Sequence, residues 1–378
     1  MTEARPGPLH AEHMALGATV TGYAGWLMPL RYASDLVEHR VVRARAGVFD
    51  LSHMGEIAVH GAGAGRALDI ALVGHLSRIE VGRARYTMMC DEDGGVIDDL
   101  VVYRTGEVEY LVVANAANAA VVLAELHARC AGLPKVTVTD VGADTALVAV
   151  QGPAAEGIVA SMVDDDARDA VVGLPYYACT TASVAGVPSM VARTGYTGED
   201  GFELFVAAED ASQVWTAALD AGSGAGLVPA GLACRDSLRL EAGMPLYGQE
   251  LSRSTTPYDA GLGRVVRLDK TDDDGAPLPF VGRDALAARA ESEPERVLVG
   301  LRGHGKRAAR TGYAVHVGDR VVGQVTSGAP SPTLGYPIAM AYVSPDVVEP
   351  GTELTVDVRG RAEPVRVVPL PFYRRSKN

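Results

Sequence analysis

The sequence predicts an α+β protein of antiparallel sheets with helices on one side, followed by a separate small β-barrel. Two observations carry that prediction. From Glu56 onward, strand-like and helix-like stretches recur as strand, strand, helix, the rhythm of sheets whose helices gather on one face. Beyond Asp269 the composition shifts: Lys270–Pro279 is a charged, proline-bearing linker, and after one short helix near 283–289 the chain alternates as short strands with glycine turns. A chain of 378 residues is too long for one compact core, so two or three domains are expected, the last from about residue 280.

Taken in order, Gly22–Leu30 is an aromatic, turn-rich strand, and Ser34 with Asp35 caps a helix that Gly47 ends. Val48–Glu56 leads into a strand; within it His53 and Met54 either line a pocket or serve as a satisfied loop histidine and a core methionine. A helix around 64–73 precedes the run Arg85–Cys90, a turn at 91–95 and the strand 96–103. A strand at 108–113 ends at Asn115, and a helix spans roughly 118–130. Strands at 136–141 and 146–150 lead to Gly152-Pro153, where proline at the first helical position starts a short helix. Residues 176–206 are β-rich, and a helix covers about 208–221. Pro229–Gly243 is the best-formed helix, stopped by Gly243 with Pro245 close behind.

Composition bounds the function. Hydrophobic residues make up 48% of the chain, which marks it as globular, and a formal charge of −13 argues against a nucleic-acid partner, which needs clustered Lys and Arg. Four cysteines at 90, 130, 179 and 234 form no CxxC spacing and read as reduced, mostly buried thiols. The N-terminus lacks an apolar export core and no stretch reaches membrane-spanning length, so a cytoplasmic location is expected. The scattered histidines imply no metal, and the sequence lacks a GxSxG elbow, a GxxxxGK[ST] loop and a strand-initial GxGxxG.

Three places carry candidate chemistry. In Arg193–Phe205, glycines at 195, 198 and 201 allow turns at positive φ, presenting Tyr196, Glu199, Asp200 and Glu203 at a corner anchored by a half-buried strand at 202–206; the alternative is a plain turn with solvated acids. Asp98 and Asp99 interrupt an apolar strand and face opposite sides, so one carboxylate points inward and needs partners, unless a bulge puts both in water. Arg235 and Arg239 lie four apart on one helix face, which requires anions: a ligand, or local acids such as Asp236 and Glu241. A basic run at 303–310 either receives an acidic partner or is a solvated loop. Acids, tyrosines and an arginine at turns suit a bulky heterocycle with an amide-like edge: Glu203 accepts from two N–H donors, Tyr196 and Tyr86 stack, and Arg235 meets a carboxylate.

Five runs together, Phe49–Glu56, Gly94–Tyr103, Arg193–Glu203, Arg235–Gly243 and Ser327–Gly335, resemble the folate-binding aminomethyltransferase (T-protein) family of the glycine cleavage system, in order and over nearly the whole chain. The resemblance implies a three-lobed cloverleaf. Two lobes are interleaved within residues 1–275, roughly 1–52 with 145–225 and 53–144 with 226–275, and residues 280–378 form the barrel. It implies transfer of a methylene carbon from the aminomethylated lipoyl arm of H-protein to tetrahydrofolate, releasing ammonia and giving 5,10-methylene-tetrahydrofolate. By the same resemblance Asp99 positions the reacting folate nitrogen, Glu203 grips the pterin edge beside Tyr196, Arg235 binds ligand, and Met54, Tyr86, Tyr103, Asn115 and Tyr373 line the pocket. Arg264 stands where the family often has tryptophan. Two relatives of this fold remain alternatives: a folate-dependent demethylase of a methylated amine or sulfonium, and a non-enzymatic folate-binding protein of iron–sulfur or tRNA maintenance. The latter's Lys-Gly-Cys-Tyr-x-Gly-Gln-Glu run is matched here only at its end, in Gly243–Glu250.

Overall fold

The computed structural model describes residues 4–272 and 274–376. The chain forms two compact units. The first holds the described residues up to Ala71, with His75–Thr87 and Leu100–Arg235; the second holds Leu72–Gly74, Met88–Asp99 and those from Asp236 onward. The architecture is mixed α+β, with several sheets and a closed barrel.

In the first unit a six-stranded sheet runs in the order Cys179–Val184, Val187–Ala192, Gly201–Ala207, Thr145–Gln151, Gly47–Asp50, Val228–Pro229. Its apolar residues, Val48, Val148, Val150, Phe202 and Leu204 among them, are buried together with the helices Ala155–Met162 and Ala211–Ser223, where Trp215 is almost fully enclosed. Burying a side chain of that size is worth a few kcal/mol, so this core anchors everything mounted on the sheet. A second sheet has the order Arg83–Cys90, Val96–Gly106, Glu109–Ala114, Gly55–His60, Thr137–Asp140, and its first two strands contribute residues 88–90 and 96–99 to the second unit. The second unit's barrel closes through Val297–Gly303, Pro337–Val343, Arg320–Pro330, Ala314–Val317, Glu353–Asp357 and Ala362–Val368 around a Val-rich core. Closure leaves no sheet edge to pair elsewhere.

Several expectations are corrected. Gly22–Leu30 belongs to two strands, Thr19–Tyr23 and Trp26–Arg31, turned at Ala24 and Gly25 with φ of 48° and 84°, the signature of a tight primed turn. Gly47 opens a strand, and the helix Asp35–Ala44 ends at Arg45. The helix expected to start at Pro153 begins at Ala155, and a helix Asp165–Val172 went unread because its acids and short length mask its period. Gly201–Ala207 is not half-buried: it is paired on both sides, with Thr145–Gln151 and Val187–Ala192, and covered on both faces. Lys270, at the start of the stretch read as a charged linker, is buried; its Nζ donates to the Leu72 carbonyl and lies 4.0 Å from the centre of the Phe280 ring. The four cysteines are buried and none is in a disulfide among the described residues.

Candidate active site

The corner at Arg193–Phe205 is built around Gln151, the last residue of a central strand. Its Nε2 donates to the Thr194 carbonyl at 3.0 Å, and the Thr197 hydroxyl donates to its Oε1 at 3.0 Å. A Cβ at Gly195 would stand 2.0 Å from Gln151 Oε1, and one at Gly201 would stand 2.4 Å from Nε2. These two glycines are therefore demanded by close approach of a side chain; of the three, only Gly198 has positive φ, at 79°.

Of the four polar side chains expected at the corner's mouth, two serve the scaffold. Glu199 is buried and receives Arg43 Nη1 at 2.7 Å, while the same nitrogen donates to the Thr197 carbonyl at 2.7 Å. Asp200 and Glu156 both receive Arg193, at 2.5 and 2.7 Å, and Arg193 also donates to the carbonyls of Val172 and Leu174.

Glu203 is half-buried in its strand, and its Oε2 accepts the Tyr103 hydroxyl at 3.2 Å and the Thr194 hydroxyl. Tyr103 is buried, and burial followed by the nearby Glu203 charge pushes its phenol well above the ordinary range, so it stays a neutral donor. Arg235 lies with its guanidinium carbon 4.7 Å from the centre of the Tyr196 ring. Burial lowers its pKa against the attraction of Glu203, Tyr196 and Tyr23, yet a guanidinium remains cationic at any working pH. It makes no hydrogen bond or ion pair among the described residues. Arg239, on the same helix, is fully engaged: Glu250 and Asp236 each lie 2.9 Å away and the Ser327 hydroxyl 2.7 Å. The helix thus answers one guanidinium with local acids and leaves the other to stack.

The turn before Met54 is equally built. Asp50 Oδ2 meets His13 Nε2 at 2.8 Å, His13 Nδ1 meets the Tyr32 hydroxyl at 2.9 Å, and the Ser52 amide donates to Asp50 Oδ1 at 2.9 Å. Burial would raise the Asp50 carboxyl, but His13 and Ser52 hold it below the usual range. Met54 and Asn115, both half-buried, flank the ladder end where Gly55 pairs with Ala114, and half-buried Tyr86 lies in the strand Arg83–Cys90.

Asp99 and Tyr373 fall in the second unit. Strand alternation separates the two acids: Asp98 is fully buried and Asp99 half-buried. The Tyr247 phenol there is raised by burial and then by Asp98, with Asp91 and Asp99 adding to it against Arg253. The half-buried Tyr373 has its amide donating to the Glu241 carbonyl at 2.8 Å. In the basic run at 303–310, Arg307 pairs with Glu363 at 2.7 Å and Arg310 donates to the Gly328 carbonyl. No group of acids, cysteines and histidines able to hold a metal, and no helix long and apolar enough to cross a membrane, occurs among the described residues.

Sequence reasoning missed Thr194, Gln151, Arg43 and the His13–Asp50–Tyr32 chain. Thr194 sits inside a stretch already marked by its glycines and was legible there; the others act across 19 to 156 residues of separation and left no local signal.

Residues 9–270 match the GCVT N-terminal domain family, and residues 296–374 match the glycine cleavage T-protein C-terminal barrel domain. Over the whole chain the sequence is 59% identical to the aminomethyltransferase of Streptomyces coelicolor, of which 99% is covered, and 59% identical to that of Saccharopolyspora erythraea, covered entirely. The crystal structure of glycine cleavage system aminomethyltransferase T from Bartonella henselae superposes with a TM-score of 0.88 at 34% identity, over 99% of this chain and 100% of that one.

Proposed function

The chain belongs to the glycine cleavage T-protein family, and on that premise we propose that it is a tetrahydrofolate-dependent aminomethyltransferase. It takes the S–CH₂–NH₃⁺ group carried on the dihydrolipoyl arm of H-protein and passes the methylene carbon to tetrahydrofolate. The C–N bond breaks to release ammonia, the C–S bond breaks to free the thiol, and two new C–N bonds give 5,10-methylene-tetrahydrofolate. No protein nucleophile is needed, because folate nitrogen attacks the carbon; the chain's task is to orient and to stabilise charge.

The observation that carries this reading is the set Glu203, Tyr196 and Arg235 in the first unit. Glu203 has one oxygen held by two hydroxyls, so its carboxylate plane is set for accepting the paired N–H groups of a pterin edge. Tyr196 offers a ring face, and Arg235 supplies a cation that the protein has not neutralised with a direct partner. Tyr103 orients Glu203 and contributes no proton of its own. In this proposal Met54, Tyr86, Asn115 and Tyr373 line the pocket, and Asp99 stabilises positive charge at the reacting folate nitrogen. The proposal extends to the two interleaved lobes within 1–275 and to a cytoplasmic setting with soluble H-protein as partner.

The deciding experiment measures turnover with aminomethylated H-protein, with and without tetrahydrofolate. Ammonia and methylene-tetrahydrofolate should form only when both are present. Activity on a methylated amine or sulfonium in the absence of H-protein would instead identify a demethylase.

A further inference from the structure

Three oxygens close a small ring beside the corner at 193–205. Tyr103 Oη lies 3.0 Å from Thr194 Oγ1 and 3.2 Å from Glu203 Oε2, and the Thr194 hydroxyl donates to that same Glu203 oxygen. With Glu203 as acceptor, the ring has two protons, one from each hydroxyl. The Thr194 proton is committed to Glu203, so the Tyr103 proton goes to the nearer oxygen, Thr194 Oγ1. The polar order then runs Tyr103 to Thr194 to Glu203, a chain in which each bond reinforces the next. Thr194, between the phenol and the carboxylate, is itself fixed. It is 3% exposed, its carbonyl accepts Gln151 Nε2 at 3.0 Å, and it lies two residues past Ala192, the cross-strand partner of Glu203. Gln151 accepts the Thr197 hydroxyl at 3.0 Å and packs directly against Gly195 and Gly201. The preceding residue, Arg193, is tied to Asp200 and Glu156. Glu203 Oε1, by contrast, receives no hydrogen bond among the described residues, in a side chain that keeps part of its surface open.

We propose that Thr194 is a positioning residue of this site: it fixes the rotation of the Glu203 carboxylate through Oε2, so that Oε1 is presented to the N–H edge of the heterocycle, and Tyr103 acts on Glu203 through it. The assignment deepens the folate reading and rests on it. A threonine suits this task better than a cation would, because a neutral hydroxyl holds one oxygen without cancelling the negative charge that the ligand's N–H groups meet. Its branched Cβ adds stiffness: χ1 has few choices, so the hydroxyl is held in one direction before any ligand arrives.

Tetrahydrofolate affinity of the full chain is measured by calorimetry under reducing conditions for three variants and one combination. Thr194→Val keeps the shape and removes the hydroxyl, Thr194→Ser restores the hydroxyl on a freer side chain, and Glu203→Ala is the control for the site. Thr194→Val should bind about tenfold more weakly and Thr194→Ser within about threefold of wild type, the loss matching one hydrogen bond. A residue that only supported the fold would weaken binding whether or not Glu203 were present. Thr194→Val should instead add less than about a twofold loss when combined with Glu203→Ala, because the two act as one unit. Thr194→Ala carries the same expectations should the Val variant fail to fold. Unchanged affinity without the hydroxyl while Glu203→Ala is weakened, or losses that add in full in the double variant, overturn the assignment of Thr194 alone. If Glu203→Ala itself binds normally, the folate reading of the site fails and Thr194 with it.

Discussion

Glu56 offers a quantitative test of how the first unit is assembled. It lies in the strand Gly55–His60, is fully buried, and neither carboxyl oxygen has a hydrogen-bond partner among the described residues. Burial, with Asp140 and Asp50 nearby, raises its pKa from 4.5 to about 9. The folded protein therefore keeps a proton that the unfolded chain loses above pH 4.5, so stability falls as pH rises through the window from 4.5 to 9. The slope is about 1.4 kcal/mol per pH unit, and the three units between 4.5 and 7.5 amount to ~4 kcal/mol, an upper figure since local relaxation reduces it. Glu56→Gln keeps the shape and removes the titration. At pH 5 the variant should match wild type or fall below it by about 1 kcal/mol, and by pH 8 it should be the more stable protein by about 2 kcal/mol or more. The assay is urea unfolding followed by tryptophan fluorescence at several pH values. The chain's two tryptophans, Trp26 and Trp215, both lie in the first unit, so the signal reports that unit. Parallel stability–pH curves for the two proteins would refute the claim that Glu56 is a protonated, unpartnered acid.

Other expectations follow from the same geometry. Asp99→Asn should leave folate affinity within a few-fold while turnover falls about 10²-fold or more, and Asp98→Asn, at the fully buried position, should lower stability more than rate; the reverse pattern would show that the wrong acid was assigned. Glu203→Ala should weaken folate binding by about 1–3 kcal/mol in calorimetry, because the N–H groups it accepts are left unpaired. Tetrahydrofolate should raise the thermal midpoint by mass action, and an unmoved midpoint at saturation would speak against folate as ligand. Reversing the charges of Lys306, Arg307 and Arg310 should slow association with an acidic carrier domain and flatten its salt dependence in stopped-flow measurements; unaffected rates would leave the run as a surface loop whose Arg307 serves Glu363.

Local rules along the chain were enough to mark several features of the site and the fold. Glycine spacing marked the corner at 193–205, alternation separated Asp98 from Asp99, the i, i+4 rule put Arg235 and Arg239 on one face, and the composition shift after Asp269 announced the barrel. Each depends on residues within one or two turns or strands of one another, where backbone geometry alone sets the relation. How those side chains are used emerges from the folded arrangement. It assigned Glu199 to Arg43, Asp200 to Arg193 and Glu203 to the hydroxyls of Tyr103 and Thr194, and it gave Arg239 two acids while giving Arg235 an aromatic face. It explained Gly195 and Gly201 by the bulk of Gln151, and it buried Lys270, Glu56 and His53. The physical reason is the same throughout. A charge or a buried polar atom is priced by its surroundings, and those surroundings come from strands and helices tens to hundreds of residues away, where no pattern in the sequence records who will be the neighbour.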